Sequence, residues 1–231
     1  MFNSELSVVQ LWYLRKPSKV NIHQIFTLIF QDLTMRRVLH HAKLNIYPTE
    51  RSKKPQMYFK FVKGTNFDGY EPKNYETKVL APFEELDQLQ AKTLTNGILR
   101  KYSLPTGFIN EEIMKPLKKE GYMSSPPLLG AFGMKSLTKQ AKKIIENLNQ
   151  YLAEKEQQLS ECVDTDREKF IPILQELQSL VFFIKQDNPE LYQHILSNVK
   201  WVNQTKPMGV ENDLSIFVEA MNIDLVYLEE H

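Results

Sequence analysis

The densest group of chemically capable side chains in this sequence is basic. Arg36, Arg37, His40, His41 and Lys43 crowd the segment DLTMRRVLHHAKL, and Arg51, Lys53, Lys54 and Lys60 follow shortly after. Guanidinium and ammonium groups gathered on one surface displace counterions from phosphates and bind them with salt-dependent affinity. Arg36, Arg37, His40, Lys43, Arg51, Lys53, Lys54 and Lys60 are therefore the candidate nucleic-acid or anion-binding residues. Tyr58 adds an aromatic ring that can stack or pack.

Other chemistries find little support. A nucleophilic serine needs a strained elbow and an orienting base, and no G-x-S-x-G occurs. Cys162 lies in the acidic run SECVDTD, which raises a thiol's pKa instead of activating it. The eight glycines are scattered, and neither G-x-x-x-x-G-K-[ST] nor G-x-G-x-x-G appears. His23, His40, His41, His194 and His231 show no metal-binding spacing. Glu84/Glu85 and Glu111/Glu112 sit in first turns of predicted helices, where the macrodipole explains them. No catalytic residue, metal or cofactor is expected.

These side chains need elements to hold them. Leu6 to Leu14 is apolar enough for a buried helix, closed by Pro17, and VNIHQIFTLIF reads as a core helix capped by Asn21. In DLTMRRVLHHAKL the helical period puts Met35, Val38, Leu39 and Ala42 on one side and the basic residues on the other, which predicts an amphipathic helix with a basic outer face. QMYFKFVKG alternates like a strand. Helix, helix, basic loop and strand suggest a helix-turn-helix with a wing. The turn-rich stretch to Pro82 reads as a connector that hides a boundary or a short strand.

The second half is predicted helical. Helices are expected over FEELDQLQAKTLTNGILRKY, over FINEEIMKPLKKEGYM with Pro116 as a kink and Gly121 as the stop, and from Thr138 to about residue 160. Two more follow, DTDREKFIPILQELQSLVFFIKQ and a run started by Asn188-Pro189. The final stretch, DLSIFVEAMNIDLVYLEE, is expected to be helix and then strand.

Composition bounds the answer. With 231 residues, 42% apolar and 25% charged, the chain is neither disordered nor a disulfide miniprotein, and no apolar run reaches bilayer length. A lone cysteine and a start without signal-peptide features predict a cytoplasmic protein. The net charge of +1 hides a gradient: residues 1–63 hold eleven Lys/Arg against three Asp/Glu, residues 151–231 six against fifteen. Either the basic end meets an anionic partner, or the acidic end neutralises it within the molecule.

The order INEEIMKPLKKEGYM, a short variable stretch, then SLTKQAKKIIENL resembles the end of a winged helix-turn-helix of the MarR or PadR type, over residues of about 108–152. Lys119, Gly121 and Tyr122 match the turn after the recognition helix, and Leu137 and Thr138 match the start of the helix beyond the wing. The would-be wing, MSSPPLLGAF, carries no Lys or Arg. The resemblance implies winged-helix shape without its usual DNA-reading surface.

The expected fold is α+β and predominantly α-helical, with winged-helix-like units, short strands and additional C-terminal helices. Residues 1–66 form a basic helix-turn-helix-like lobe, 67–82 a connector, 83–160 a winged-helix-like region and 161–231 an acidic helical lobe. The expected function is non-catalytic: a protein-interaction or scaffold module with a protein partner or a second copy, the long helix of residues 138–160 offering a surface for the latter. The alternative is a nucleic-acid-binding protein that uses the basic lobe. A membrane partner is not expected.

Overall fold

The computed structural model describes residues 2–17, 21–47, 53–54, 56–124, 136–205, 214–223 and 225. Helix α1 (Val8–Arg15) starts in a capping box, the Ser7 hydroxyl accepting from the Gln10 N–H at 3.2 Å and the Gln10 side chain accepting from the Ser7 N–H at 2.9 Å. Helix α2 (Ile22–Met35) starts on Asn21, whose side chain accepts from the Gln24 N–H at 2.8 Å. Both helices are buried along most of their length, as their apolar composition requires.

The predicted basic amphipathic helix does not form. Helix α2 stops at Met35, Arg36 caps it, and Arg37 turns into the left-handed region with φ 58°. Val38 N–H bonds to the Leu33 carbonyl and Arg37 N–H to that of Thr34, a Schellman ending with arginine where glycine is usual. The chain leaves as strand β1 (Leu39–Ile46), which pairs antiparallel with β2 (Gln56–Lys63) from Leu39↔Lys63 to Ile46↔Gln56. Tertiary pairing wins because Val38 and Leu39 stay fully buried either way, while the strand also seats Phe61 against Phe30, ring centroids 4.2 Å apart.

Gly64 closes this hairpin onto the helix end. Its N–H bonds to the Val38 carbonyl at 2.8 Å, and a Cβ there would lie 2.1 Å from the Arg37 carbonyl oxygen. The connector is partly helical, with α3 (Tyr75–Leu80). Strand β3 (Gln88–Gln90) lies within the stretch expected to be helix and adds to β2 through Lys60↔Gln90 and Val62↔Gln88. The sheet order is β1-β2-β3.

Helix α4 (Ala91–Leu99) follows. Then α5 (Pro105–Phe108), a π-helical stretch (Ile109–Met114) and α6 (Lys115–Lys119) make one run. The π turn accounts for Pro116: the ladder opens just before it, with Lys115 N–H reaching the Asn110 carbonyl. Gly121, with φ 80°, ends the run, Tyr122 N–H bonding to the Leu117 carbonyl. Short strands β4 (Met123–Ser124) and β5 (Ser136–Leu137) pair, and Thr138 caps the long α7 (Lys139–Cys162). Most of the would-be wing, residues 125–132, lies outside the described residues.

The buried stripe of α7, Ala141, Leu148, Leu152 and Leu159, belongs to the chain's own core and is not offered to a second copy. The helix expected over residues 164–186 is broken: α8 (Arg167–Leu177) ends at Gln178, φ 48°, and α9 (Val181–Asp187) resumes after one turn. Helix α10 (Pro189–Thr205) starts on Asn188 as expected, and α11 (Ser215–Met221) packs on α2. The expected terminal strand falls outside the described residues. Buried side chains from Leu6 to Leu225 form one contiguous cluster, in a predominantly helical α+β protein with a small antiparallel sheet.

Candidate functional site

Among the described residues, the basic candidates differ in what they face. Arg36 turns inward between two carboxylates, its guanidinium 2.5 Å from Asp32 and 2.7 Å from Glu76, and it also hydrogen-bonds the Tyr70 hydroxyl. Asp32 is 7% exposed and Glu76 1%. Glu76 gathers two further donors, the Tyr70 hydroxyl at 2.6 Å and the Lys73 N–H at 2.9 Å. This network pins the end of α2 to the start of α3. Burial pushes the Asp32 carboxyl above its ordinary range, against the lowering pull of Arg36. Burial works against the charge on Arg36, but Asp32 and Glu76 outweigh it and hold the guanidinium protonated. As a phosphate contact Arg36 is engaged already.

The neighbouring candidates divide. Arg37 is exposed on its left-handed turn, and its carbonyl accepts from the Asn66 N–H at 3.0 Å. His40 stands on β1, its Nδ1 3.4 Å from the carboxylate of Glu219 on α11. Lys43 is on β1 opposite Phe59, and its side chain lies outside the described set. Arg51 lies outside the described residues. Lys53 and Lys54 are exposed in the connection between the two strands, and Lys60 is half-buried on β2 between Ala42 and Gln90.

What the residues build is a ribbon. β1 and β2 run together for eight residues, and β3 accompanies only three of them. On the open side of β1 the Glu219 carboxylate accepts the His41 N–H at 2.5 Å. In an antiparallel pair a residue's N–H and C=O point to the same side, so the odd-numbered residues of β1 face away from β2. Lys43 and Asn45 continue that row, and among the described strands none pairs with it. Tyr47, 59% exposed, stands at the end of the strand.

The acidic third of the chain answers part of the basic third. Asp187 at the end of α9 pairs with Arg15 and, at 3.3 Å, with Lys16, while Glu219 takes His40. The outer surface of the α5–α6 run is mixed: Lys115 pairs with Glu111, and the Tyr102 hydroxyl donates to Glu112 at 2.6 Å. Among the described residues, no three His, Cys, Asp or Glu side chains gather as metal ligands do, and no helix is long and apolar enough to cross a membrane.

The i,i+4 spacing of Asp32 and Arg36 is the signal in the sequence for half of this network, which stands where the basic helix face is expected. Nothing in the sequence pointed to Glu76, Tyr70 or Glu219, which arrive from distant segments. Fold and site together define a predominantly helical α+β protein with a small antiparallel sheet, two of whose strands run together for eight residues. Set against protein-family models, curated proteins and solved structures, the chain matches none of them.

Proposed function

We propose that this chain is a non-catalytic binding protein whose partner is another protein, held at the outer edge of β1. The observation that carries the reading is the Glu219 carboxylate on the His41 N–H, which fixes the outward direction of the row continued by Lys43 and Asn45. An edge of this kind takes up an extended segment through main-chain hydrogen bonds. Exposed Lys53 and Lys54 nearby in the chain favour an acidic segment. Residues 83–160 belong to the same reading as a winged-helix-like unit. Their helix, helix, hairpin, helix order fits the resemblance, and the Glu111–Lys115 pair on the second helix suits a protein-facing role better than a phosphate-facing one.

The test is a titration of the isotope-labelled protein with a model octapeptide of alternating Glu and Val, read by amide chemical shifts. Shifts confined to residues 39–46, lost in Asn45→Pro and absent with a Lys–Val peptide, are expected, because proline removes an outward N–H from the edge. No shifts at about millimolar peptide, a weak-binding ceiling, would sink the reading.

A second reading keeps one observation in its favour. The major groove admits a two-stranded ribbon, and this one carries Lys53 and Lys54 exposed in its connection. Anisotropy of labelled duplex DNA at roughly 50 and 200 mM salt tests it, since several phosphate contacts lose orders of magnitude over that range. Binding that survives Lys53→Glu with Lys54→Glu, or no binding at the lower salt, removes the nucleic acid.

A further inference from the structure

Helix α2 is a core helix with a polar stripe. Gln24, Thr27 and Gln31 recur at helical spacing among Ile, Phe and Leu, and they line a pocket of about 380 Å³ between α1, α2 and α9 that opens to solvent. Trp12, Leu28 and Phe182 supply its apolar wall. Asn21, His23, Lys185 and Gln186 complete the lining among the described residues. The volume falls in the range of small-molecule sites.

The polar groups state what an occupant must offer. Gln24 Oε1 and His23 Nδ1 are buried and have no hydrogen-bond partner. An amide oxygen accepts, so Gln24 calls for an N–H or O–H donor, while His23 Nδ1 accepts or donates according to its tautomer. Gln31 already commits its NH₂ to the Ile223 carbonyl at 3.1 Å, and Gln186 its oxygen to Lys16 at 2.9 Å. What each has left is the other half of an amide: an acceptor on Gln31, a donor on Gln186. Primary amides present donor and acceptor side by side, as the edge of a heterocyclic base does. No carboxylate lines the cavity, so nothing there neutralises a cation, and Lys185, the cation in the lining, is already engaged. A purely aliphatic occupant would leave the amides unpaired, at a cost that argues against it.

From this we infer that the cavity is a binding site for an uncharged, flat heteroaromatic molecule carrying adjacent N–H and carbonyl groups, of the size of a nucleobase or nucleoside. The indole of Trp12 and the ring of Phe182 cover its apolar surface, and the Gln24–Thr27–Gln31 stripe reads its polar edge. The site lies toward the opposite end of α2 from the β1 edge, so it stands or falls apart from the partner reading.

The sequence has two tryptophans, and Trp201→Phe leaves Trp12 as the reporter. Fluorescence of that variant is titrated with uridine, adenosine and, as an anionic aromatic without N–H groups, benzoate. Saturable change with a nucleoside at sub-millimolar concentration is expected, with benzoate at least tenfold weaker. Thr27→Phe, which fills the cavity, is expected to abolish the change. Gln24→Leu, which keeps the shape and removes the amide, is expected to weaken it tenfold or more, with circular dichroism confirming that both variants fold. No nucleoside response up to about 1 mM, benzoate equal to the nucleosides, or full response in Gln24→Leu would each overturn the assignment.

Discussion

Replacing Arg36 by methionine should unfold more of this protein's stability than any change to the exposed lysines. Methionine keeps most of the aliphatic length and removes the charge that faces Asp32 and Glu76. Glu76 retains the Tyr70 hydroxyl and the Lys73 N–H, so the loss falls mainly on Asp32, a carboxyl 7% exposed. Breaking a fully buried pair by deleting one partner costs about 3–5 kcal/mol and an exposed pair about 0–1 kcal/mol. With the Arg36 side chain 33% exposed the expected cost lies between them, at about 2 kcal/mol. The pH dependence carries a sign. Asp32 already has its pKa raised in the folded chain, chiefly by burial, and loss of Arg36 raises it further. A carboxyl with a raised folded pKa contributes its full stability below the unfolded value and loses it as pH rises through the folded one. The defect of Arg36→Met should therefore be larger at pH 7.5 than at pH 5. Urea unfolding at both values measures it, and Arg36→Met with Asp32→Asn should recover much of the loss. A cost below about 1 kcal/mol, or one equal at the two pH values, would refute the buried network. Charge reversal at Arg36 would likewise report on folding before it reported on nucleic acid.

Four further outcomes follow from the same geometry. Asp32→Asn alone should flatten the wild-type decline in stability as pH rises above the carboxylate range, measured by thermal melts from pH 5 to 8. Arg37→Gly should stabilise the chain by about 1 kcal/mol in urea, since it relieves a left-handed residue with a side chain at a helix ending. Gly64→Ala should cost about 3 kcal/mol or more because its Cβ meets backbone, whereas Gly121→Ala, with open space around it and only φ 80° to resist, should cost about 1–2 kcal/mol. Cys162, buried and with its thiol pKa pushed up by burial, should react with a disulfide reagent slowly when folded and rapidly in urea.

The sequence carried its message well wherever one residue type settles a local geometry. Asn21, Thr138 and Asn188 cap the helices expected of them, because a side-chain acceptor beside orphan N–H groups needs no tertiary help. Period-2 alternation located β2 for the same reason. Segments with two admissible periods went wrong. Residues 36–43 satisfy a helix and a strand alike, and the choice belonged to β2, about twenty residues on, which offers a full ladder to one and nothing to the other. Gln88–Gln90 reads as part of a helix because a three-residue strand has no period to show, and its partner Lys60 lies far back in the chain.

Two helix endings make the contrast concrete. Both are Schellman motifs, one closing on Gly121 and one on Arg37. Glycine announces the left-handed residue because it has no side chain to strain. Arginine adopts it here only because the hairpin, closing through Gly64 onto the Arg37 backbone, holds it there. Sequence alone thus determined helical class, caps, charge gradient and the absence of recognisable catalytic motifs. Tertiary structure decided which basic groups face water, since Glu76 and Glu219 could claim Arg36 and His40 only once segments 40 and 179 residues apart had met.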